Sequence, residues 1–433
     1  MNFYSTKRQV AEVDLREAVI TGLPADNGLF MPEKIRKLDD DFIAGISDLD
    51  FPEMAFRVAD RLLEGCIPSL ALRDTVFDAI NFEAPLVELD KGLYCLELFH
   101  GPSLAFKDFG ARFMARIMSY FVKDQKEKLT ILVATSGDTG GAVARGFYET
   151  DIDVVILYPS GKISELQEKQ LTTLGKNITA LEIDGTFDDC QKLVKSAFLD
   201  ADLREKMYIS SANSINIARL IPQSFYYFRA LAQLKDKSKP VCCTVPSGNF
   251  GNLTAGLIAR EMGLPIDHFV AAVNSNDVFP QYLESNTYVA KPSVPTLSNA
   301  MDVGAPSNLQ RIQDLFGNDV AAINNRISSW SYDDSSTKQG ITELYEKYNY
   351  VACPHTAVAY LGMKKYLDAN PGHQGIFLST AHPAKFIDIV EETLNQKVEL
   401  PPALAELVPL KKQSLEMSTD YAPFREYLLS RQM

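Results

Sequence analysis

The sequence has few of the residues that bind metals or cross-link small folds. Its 433 residues include 5 histidines and 6 cysteines, the latter at positions 66, 95, 190, 242, 243 and 353. None of these cysteines forms a CxxC pair, and the histidines show no paired ligand spacing. Zinc sites are usually built from such closely spaced pairs, and disulfide frameworks from a denser set of cysteines. We therefore expect no bound zinc, and reduced thiols in a cytoplasmic protein.

The sequence also lacks an excess of basic residues and any long apolar run. It contains 43 Lys and Arg against 56 Asp and Glu, a net charge of −13, and no basic stripe. The sequence therefore lacks the cluster of basic residues that is typical of nucleic-acid-binding proteins. The first residues, MNFYSTKRQV, hold no apolar signal core, and no apolar run approaches membrane-spanning length. We expect a soluble protein that binds neither nucleic acid nor membrane, although local donors could still bind a small anion.

Two common hydrolase signatures, GxSxG and HExxH, are absent as well. Their absence argues against an elbow-type serine hydrolase and against a zinc protease of the helix-borne type. The chain is nevertheless long enough for two or three domains with sizeable cores.

Apolar strands and helices alternate through most of the chain. Strands are predicted at 94–99, 129–134, 154–158, 178–183, 208–210, 241–245, 269–273 and 375–379. Continuous apolar strands separated by helices indicate parallel sheets that are covered on both faces. Residues 1 to about 90 predict a helical or mixed cap, and the irregular, polar residues 286–340 are left unassigned.

One loop pattern occurs twice. Thr135-Ser-Gly-Asp-Thr-Gly140 and Pro246-Ser-Gly-Asn-Phe-Gly251 each follow a predicted strand and precede a helix. Ligands of open parallel sheets bind at the carboxyl ends of the strands. The repetition therefore predicts two related sheets that face a shared cleft.

Lys107 is the candidate nucleophile. It lies among Leu104, Ala105, Phe106 and Phe109, at the start of a predicted helix. Burial penalises its ammonium form, and the positive end of the helix dipole repels that charge. A lysine held as a neutral amine is what Schiff-base chemistry with an aldehyde requires. The alternative is a lysine whose charge reaches solvent and pairs with the adjacent aspartate.

The loop Ser247–Asn252 is a candidate phosphate site. Its two glycines leave the amides accessible at a helix N-terminus, although it is neither a Walker loop nor GxGxxG. A structural glycine turn is the alternative. The other loop of the repeated pattern, Thr135–Gly140, carries Asp138, which would repel a phosphate. We interpret Asp138 as a helix cap, or as a hydrogen-bonding group for another part of a ligand.

Two further segments offer polar groups. In Ser210–Arg219, Asn213 and Ser214 precede a helix, and Arg219 could contact a phosphate or carboxylate with both guanidinium arms. The alternative is an ordinary N-cap followed by a surface arginine. In Ser379–Lys385, Thr380 and His382 follow an apolar strand, where capping is the simpler role.

A buried lysine, a phosphate loop and a second anion site are what a pyridoxal-phosphate enzyme with a phosphorylated substrate needs. The segments LELFHGPSLAFKDFGARFMA, ATSGDTGGAVA, SANSINIARL, VPSGNFGNLTAGL, LSNAMDV and TAHPAKF closely resemble the threonine synthase family. That family belongs to the tryptophan-synthase-β-like, fold-type II superfamily and converts O-phospho-L-homoserine and water to L-threonine and phosphate. The resemblance spans nearly the whole chain.

The resemblance implies roles for individual residues. Lys107 would form the Schiff base with pyridoxal 5'-phosphate, and Thr380 would face the pyridine nitrogen. The cofactor phosphate would be held by Gly248, Asn249, Phe250, Gly251 and Asn252. Asp138 would lie beside the cofactor's 3-oxygen, while the substrate would be bound by Thr135, Ser136, Thr139, Asn213, Ser214 and Arg219. His355 is assigned no role.

The resemblance also implies an architecture. We expect two open, mainly parallel α/β domains that face a cofactor cleft, with an N-terminal cap. The expected boundaries are 1–92 for the cap, 93–110 with 213–433 for the large cofactor-binding domain, and 111–212 for the small domain. We expect a monomer, with a dimer as the alternative.

Two other functions remain open at this point. A β-replacing or dehydratase relative acting on serine or threonine would share Lys107 and both glycine loops without needing Asn213, Ser214 and Arg219. A catalytically silent paralogue would bind phosphohomoserine without releasing phosphate.

Overall fold

The computed structural model describes residues 1–431. The strands are β1 (Phe3–Ser5), β2 (Phe30–Pro32), β3 (Leu86–Asp90), β4 (Leu93–Glu97), β5 (Thr130–Ala134), β6 (Asp153–Pro159), β7 (Ile178–Ile183), β8 (Ile209–Ser211), β9 (Val241–Pro246), β10 (His268–Val273), β11 (Ile327–Ser331), β12 (Gln374–Ser379) and β13 (Leu415–Met417). Most strands from β4 onward lie within one residue of the predicted ranges.

The helices of the first half are α1 (Leu15–Thr21), α2 (Asp40–Ala44), α3 (Phe51–Leu62), α4 (Ser69–Ala79), α5 (Lys107–Val122), α6 (Asp138–Phe147), α7 (Glu165–Thr172), α8 (Phe187–Leu199), α9 (Ala201–Lys206), α10 (Ile217–Leu220) and α11 (Phe225–Gln233). Those of the second half are α12 (Gly251–Glu261), α13 (Val278–Ser285), α14 (Leu309–Leu315), α15 (Val320–Asn324), α16 (Asp334–Tyr348), α17 (Pro354–Ala369), α18 (Ile387–Leu394), α19 (Pro402–Ala405) and α20 (Tyr421–Ser430).

The larger sheet has six strands in the order β11-β10-β9-β12-β4-β3. Its neighbouring strands are parallel except for β3 and β4, which pair antiparallel. The central strands β9 and β12 are buried along their whole length. In β9, Cys242 packs with α17 on one face while Cys243 joins the large core on the other. Burial on both faces explains why these strands are continuously apolar rather than alternating.

The smaller sheet has five parallel strands in the order β13-β7-β6-β5-β8. One face packs against α8 and α20, through residues such as Leu132 and Phe424. The other face, which includes Ile131, belongs to the same core as α5, α6 and the larger sheet. One continuous apolar core therefore holds the two sheets in a fixed relation.

The predicted fold class is confirmed: two mainly parallel α/β layers accompany an N-terminal part built from the β1–β2 ribbon and α1, α3 and α4. The exact domain boundaries stay a prediction. Two strands cross the expected limits, because β3 lies in the larger sheet and β13 in the smaller one. Residues 286–340, which the pattern left unassigned, hold α14, α15 and the edge strand β11. No helix among residues 1–431 is long and apolar enough to cross a membrane.

Candidate active site

Three of the predicted site segments follow three adjacent parallel strands. The loop Ser247–Asn252 follows β9, Thr380 follows β12, and Lys107 lies ten residues after the end of β4. The amide of Phe106 donates to the Thr380 carbonyl at 2.8 Å. Because carboxyl ends of parallel strands share one sheet edge, these segments meet there.

The smaller sheet contributes two more segments at its own carboxyl edge. Thr135–Thr139 follows β5, and Asn213 and Ser214 follow the neighbouring strand β8. The two edges touch where the side-chain amide of Asn249 donates to the Ser214 hydroxyl at 2.5 Å. They touch again where the ammonium of Lys385 lies 2.9 Å from a carboxylate oxygen of Asp138. The predicted shared cleft therefore lies between the two sheets.

Lys107 is the first residue of α5 and is partly buried. Burial is the main cause that lowers the pKa of its amine to about 8. The Asp138 carboxylate opposes this shift, whereas the positive charges of Arg219 and Lys385 add to it. A substantial fraction of the amine is therefore neutral near pH 8, as nucleophilic chemistry with an aldehyde requires.

The loop Ser247–Asn252 presents unused donors. In the described part of the chain, the backbone amides of residues 248–252 donate to no acceptor. A Cβ on Gly248 would lie only 2.6 Å from the Met301 Cα, so a side chain cannot fit there. Phe250 adopts a left-handed conformation, φ 59°, immediately before α12. Free amides at a helix N-terminus form a site for an anion such as a phosphate.

The loop Thr135–Gly140 has a different arrangement of hydrogen bonds. The Thr135 hydroxyl accepts from the amides of Gly137 and Gly140, at 3.0 and 2.8 Å. Within residues 1–431, the amides of Ser136, Asp138 and Thr139 donate to no acceptor. The helix-cap interpretation of Asp138 is wrong, because its side chain caps no amide and instead pairs with Lys385 and Gln167. Burial opposes ionisation, but the charges of Lys385 and Lys107 outweigh it and hold the pKa of Asp138 below its usual range.

Arg219 is buried, with 3 % of its surface exposed, so the surface-arginine alternative is wrong. Burial lowers the pKa of its guanidinium to about 10, while the Asp108 charge opposes the shift. One arm donates to the Ala212 carbonyl at 2.5 Å, and its buried Nε has no partner in the described chain. The predicted N-cap does exist, since the Asn216 side chain accepts from the Ala218 amide at the start of α10.

Thr380 is buried and lies directly after β12. His382 fulfils the simpler role, because its Nδ1 accepts from the Ala384 amide at 3.1 Å.

Sequence reasoning missed the roles of four buried polar residues around Asp138. Lys385 and Gln167 contact it directly, and Gln170 contacts Lys385 at 2.9 Å. His355, at the start of α17, accepts from the Ala300 amide at 3.2 Å. Burial lowers its pKa to about 4, with Asp138 opposing and Lys107 and Lys385 adding to the shift. The available signal was weak: Lys385 ends the quoted segment Ser379–Lys385, and none of the four residues has a spacing that marks a site.

The site fits pyridoxal phosphate by its own chemistry. An amine of lowered pKa lies on the same sheet edge as a row of unused amides that suits a phosphate. Several buried polar atoms in the same segments lack a partner within residues 1–431: Ser103 Oγ, Asp108 Oδ1, Ser210 Oγ, Asn213 Oδ1 and Arg219 Nε. Buried polar groups are rarely left unpaired, so such a concentration indicates a polar ligand.

Comparisons with known proteins agree with this geometry. Residues 79–378 match the family described as pyridoxal-phosphate dependent enzyme, residues 2–80 the threonine synthase N terminus, and residues 356–428 the threonine synthase C-terminal family. Threonine synthase of Haemophilus influenzae is 47 % identical over 431 residues, covering 99 % of this chain and 100 % of the relative.

Solved structures extend the comparison. The crystal structure of threonine synthase from Escherichia coli has a TM-score of 0.93 at 44 % identity, covering 100 % of both chains. The structure of pyridoxal-phosphate-bound threonine synthase from Brucella melitensis has a TM-score of 0.94 at 33 % identity, covering 99 % of both. The resemblance and the cofactor predicted from the sequence are thereby confirmed. The chain belongs to the threonine synthase family of pyridoxal-phosphate-dependent enzymes.

Proposed function

We propose that this chain releases phosphate from O-phospho-L-homoserine and adds water to give L-threonine, with Lys107 as its catalytic lysine. The observation that carries the proposal is the position of Lys107. Its amine, with a pKa of about 8, lies at the edge that also carries the free amides of residues 248–252. Asn213 and Ser214 follow β8 of the smaller sheet, and Arg219, whose Nε has no partner within residues 1–431, lies against Gly110 of the helix that Lys107 opens.

Bound pyridoxal phosphate supplies an electron sink that stabilises negative charge at the substrate's α-carbon. We assign the unused backbone amides of Gly248, Asn249, Phe250, Gly251 and Asn252 to its phosphate. Thr380 is assigned to its ring nitrogen and Asp138 to its 3-oxygen side. Lys107 would hold the group, and its amine would be the base that takes the proton from the substrate's Cα.

The remaining residues bind the substrate. The unused amides of Ser136 and Thr139, together with Thr135, suit its carboxylate, because backbone donors at a helix N-terminus favour anions. Arg219, Asn213 and Ser214 suit its phosphate. Their donors can stabilise the charge that develops as the phosphate leaves Cγ, which is where preorganised donors accelerate a reaction.

The direct test uses the purified chain loaded with pyridoxal phosphate and given O-phospho-L-homoserine. We expect phosphate and L-threonine to appear in equal amounts, measured by a phosphate assay and amino-acid analysis. Turnover of serine or threonine without phosphohomoserine turnover would instead identify a dehydratase or β-replacing enzyme. Tight binding of phosphohomoserine without phosphate release would identify a silent paralogue.

Gly110 provides a test of the Arg219 assignment without altering a polar group. A Cβ at Gly110 would lie 2.8 Å from both the Nε and the carbonyl oxygen of Arg219, so Gly110→Ala should displace that side chain. We expect a stability loss of about 1–3 kcal/mol, because overpacking outweighs the gain in helix propensity. KM for phosphohomoserine should rise while cofactor affinity stays unchanged, as followed by kinetics and absorbance.

Gly372→Ala is the matched control, because nothing lies within 4 Å of the added Cβ. It should change neither KM for phosphohomoserine nor the affinity for the cofactor. Loss of cofactor with unchanged KM in Gly110→Ala would place Arg219 at the cofactor phosphate instead. The monomeric state, the cytoplasmic location and the lack of nucleic-acid binding stay predictions.

A further inference from the structure

Lys385 is a second lysine in the cleft, and its side chain is fully buried. It lies six residues after the end of β12, on the larger sheet's side of the cleft. Its ammonium contacts the Ser103 carbonyl at 2.8 Å, the Gln170 side-chain oxygen at 2.9 Å and the Asp138 carboxylate at 2.9 Å. Each of the three N–H groups of the ammonium thus has one acceptor, so none is left to donate to a ligand.

The three acceptors belong to three different elements. Ser103 lies four residues before Lys107, Asp138 opens α6, and Gln170 lies on α7 of the smaller sheet's half. Gln170 also donates to the Ser103 carbonyl at 3.0 Å, which closes the arrangement. Lys385 therefore connects the segment that carries Lys107 with the loop that carries Asp138.

Asp138 needs such a partner. Its Oδ1 contacts the Lys385 ammonium and also accepts a hydrogen bond from the Gln167 side-chain amide at 3.0 Å. The loop around it presents free amides at Ser136 and Thr139, which suit an anionic group. An uncompensated carboxylate in that loop would repel the anion, and a buried carboxylate without a partner is strongly unfavourable.

We propose that Lys385 is a positioning residue that fixes and neutralises the Asp138 carboxylate beside Lys107, so that the loop Thr135–Thr139 can receive an anionic substrate. The inference rests on the proposed function for its substrate. The charge arrangement around Lys107 can be tested without any substrate.

The charged groups around the pair are few. Lys107 is influenced by Asp138, Arg219 and Lys385, and Asp138 by Lys385, Lys107 and His355. Asp108, which follows Lys107, is influenced by Lys385 and Arg112. Removing the Lys385 charge should therefore raise the pKa of the Lys107 amine, and removing the Asp138 charge should lower it. Removing both charges should leave the pKa of the Lys107 amine nearly unchanged.

The test measures the pKa of Lys107 by competitive acetylation over a pH series, read by mass spectrometry of the full-length, cofactor-free chain. We expect Lys385→Met to raise this pKa by about one unit and Asp138→Asn to lower it by a similar amount. The double variant should return close to the original value. Should Lys385→Met fail to fold, the double variant must still titrate about one unit above Asp138→Asn. Shifts of equal sign, or no shift, would overturn the proposal.

Kinetics of the loaded enzyme add a second measurement. Lys385→Met should raise KM for phosphohomoserine by about tenfold or more, and adding Asp138→Asn should reverse most of that rise. A merely structural lysine would give no such rescue, and its absence would contradict the role in substrate binding. Lys412→Met is the matched control, because it breaks lysine–carboxylate contacts, with Glu168 and Glu182, that involve neither Asp138 nor Lys107, and it should leave both measurements unchanged. If no variant, nor the parent chain, releases phosphate while the acetylation shifts appear, the proposed function fails and the charge arrangement stands.

Discussion

Replacing Lys107 with alanine should lower the turnover of phosphohomoserine by about 10⁴-fold or more, the scale expected when a lysine that carries a cofactor and transfers a proton is removed. The physical reason is that no neighbouring basic side chain can replace the Lys107 amine. Lys385 is fully buried and already has three acceptors. Arg219 stays protonated at neutral pH, because its pKa is lowered only to about 10.

The variant should keep its fold, because Lys107 is the first residue of α5 and forms no part of the apolar core. Phosphate release gives the activity, and urea unfolding gives the stability. Lys162→Ala, at an exposed position, is the control and should retain full activity. Near-normal turnover of Lys107→Ala would remove the basis of the proposed mechanism.

Arg219→Ala should cost about 3–5 kcal/mol of transition-state stabilisation, or between about 10²- and 10⁴-fold in kcat/KM. Such a loss is typical when one member of a desolvated charge pair is removed. The visible absorbance of the bound cofactor should persist, because we assign the cofactor phosphate to the amides of residues 248–252. Steady-state kinetics and absorbance measured on the same sample separate the two effects.

Arg219→Lys should recover only part of the loss, because an ammonium cannot reproduce the two-armed guanidinium contact. The contact between Asn249 and Ser214 brings the two anion sites close together, so an exchange of roles is a real alternative. Loss of cofactor affinity with intact substrate affinity in Arg219→Ala would show that the two phosphates had been assigned the wrong way round.

Much of the fold was predictable because local signals agree with the tertiary structure. The strand predicted at 178–183 has the observed bounds, and those predicted at 129–134 and 241–245 differ from the observed strands by one residue. Lys107 begins its helix as the apolar spacing indicated. Both glycine loops lie at carboxyl edges of the sheets, where the strands that precede them, β5 and β9, pair parallel with their neighbours.

The remaining features depend on contacts between distant parts of the chain. Lys385 approaches Asp138 across 247 positions in the sequence, a pairing that no local pattern records. The strand β13 is short and largely exposed, so it lacks the apolar run that identifies a buried strand. The edge strand β11 has the polar sequence ISSWS and escaped detection for the same reason. Of the two interpretations of Asp138, the helix cap was wrong, because the pairing with Lys385 could not be recognised from the sequence.

The most direct test of the central claim is reductive trapping of the cofactor. The loaded protein is treated with borohydride, digested, and the pyridoxyl-labelled peptide is sequenced by mass spectrometry. We expect a single label on Lys107, within the segment Ser103–Gly110. A label on Lys385 or on Lys162, or the absence of any label from a protein that has bound the cofactor, would contradict the assignment of Lys107 as the catalytic lysine.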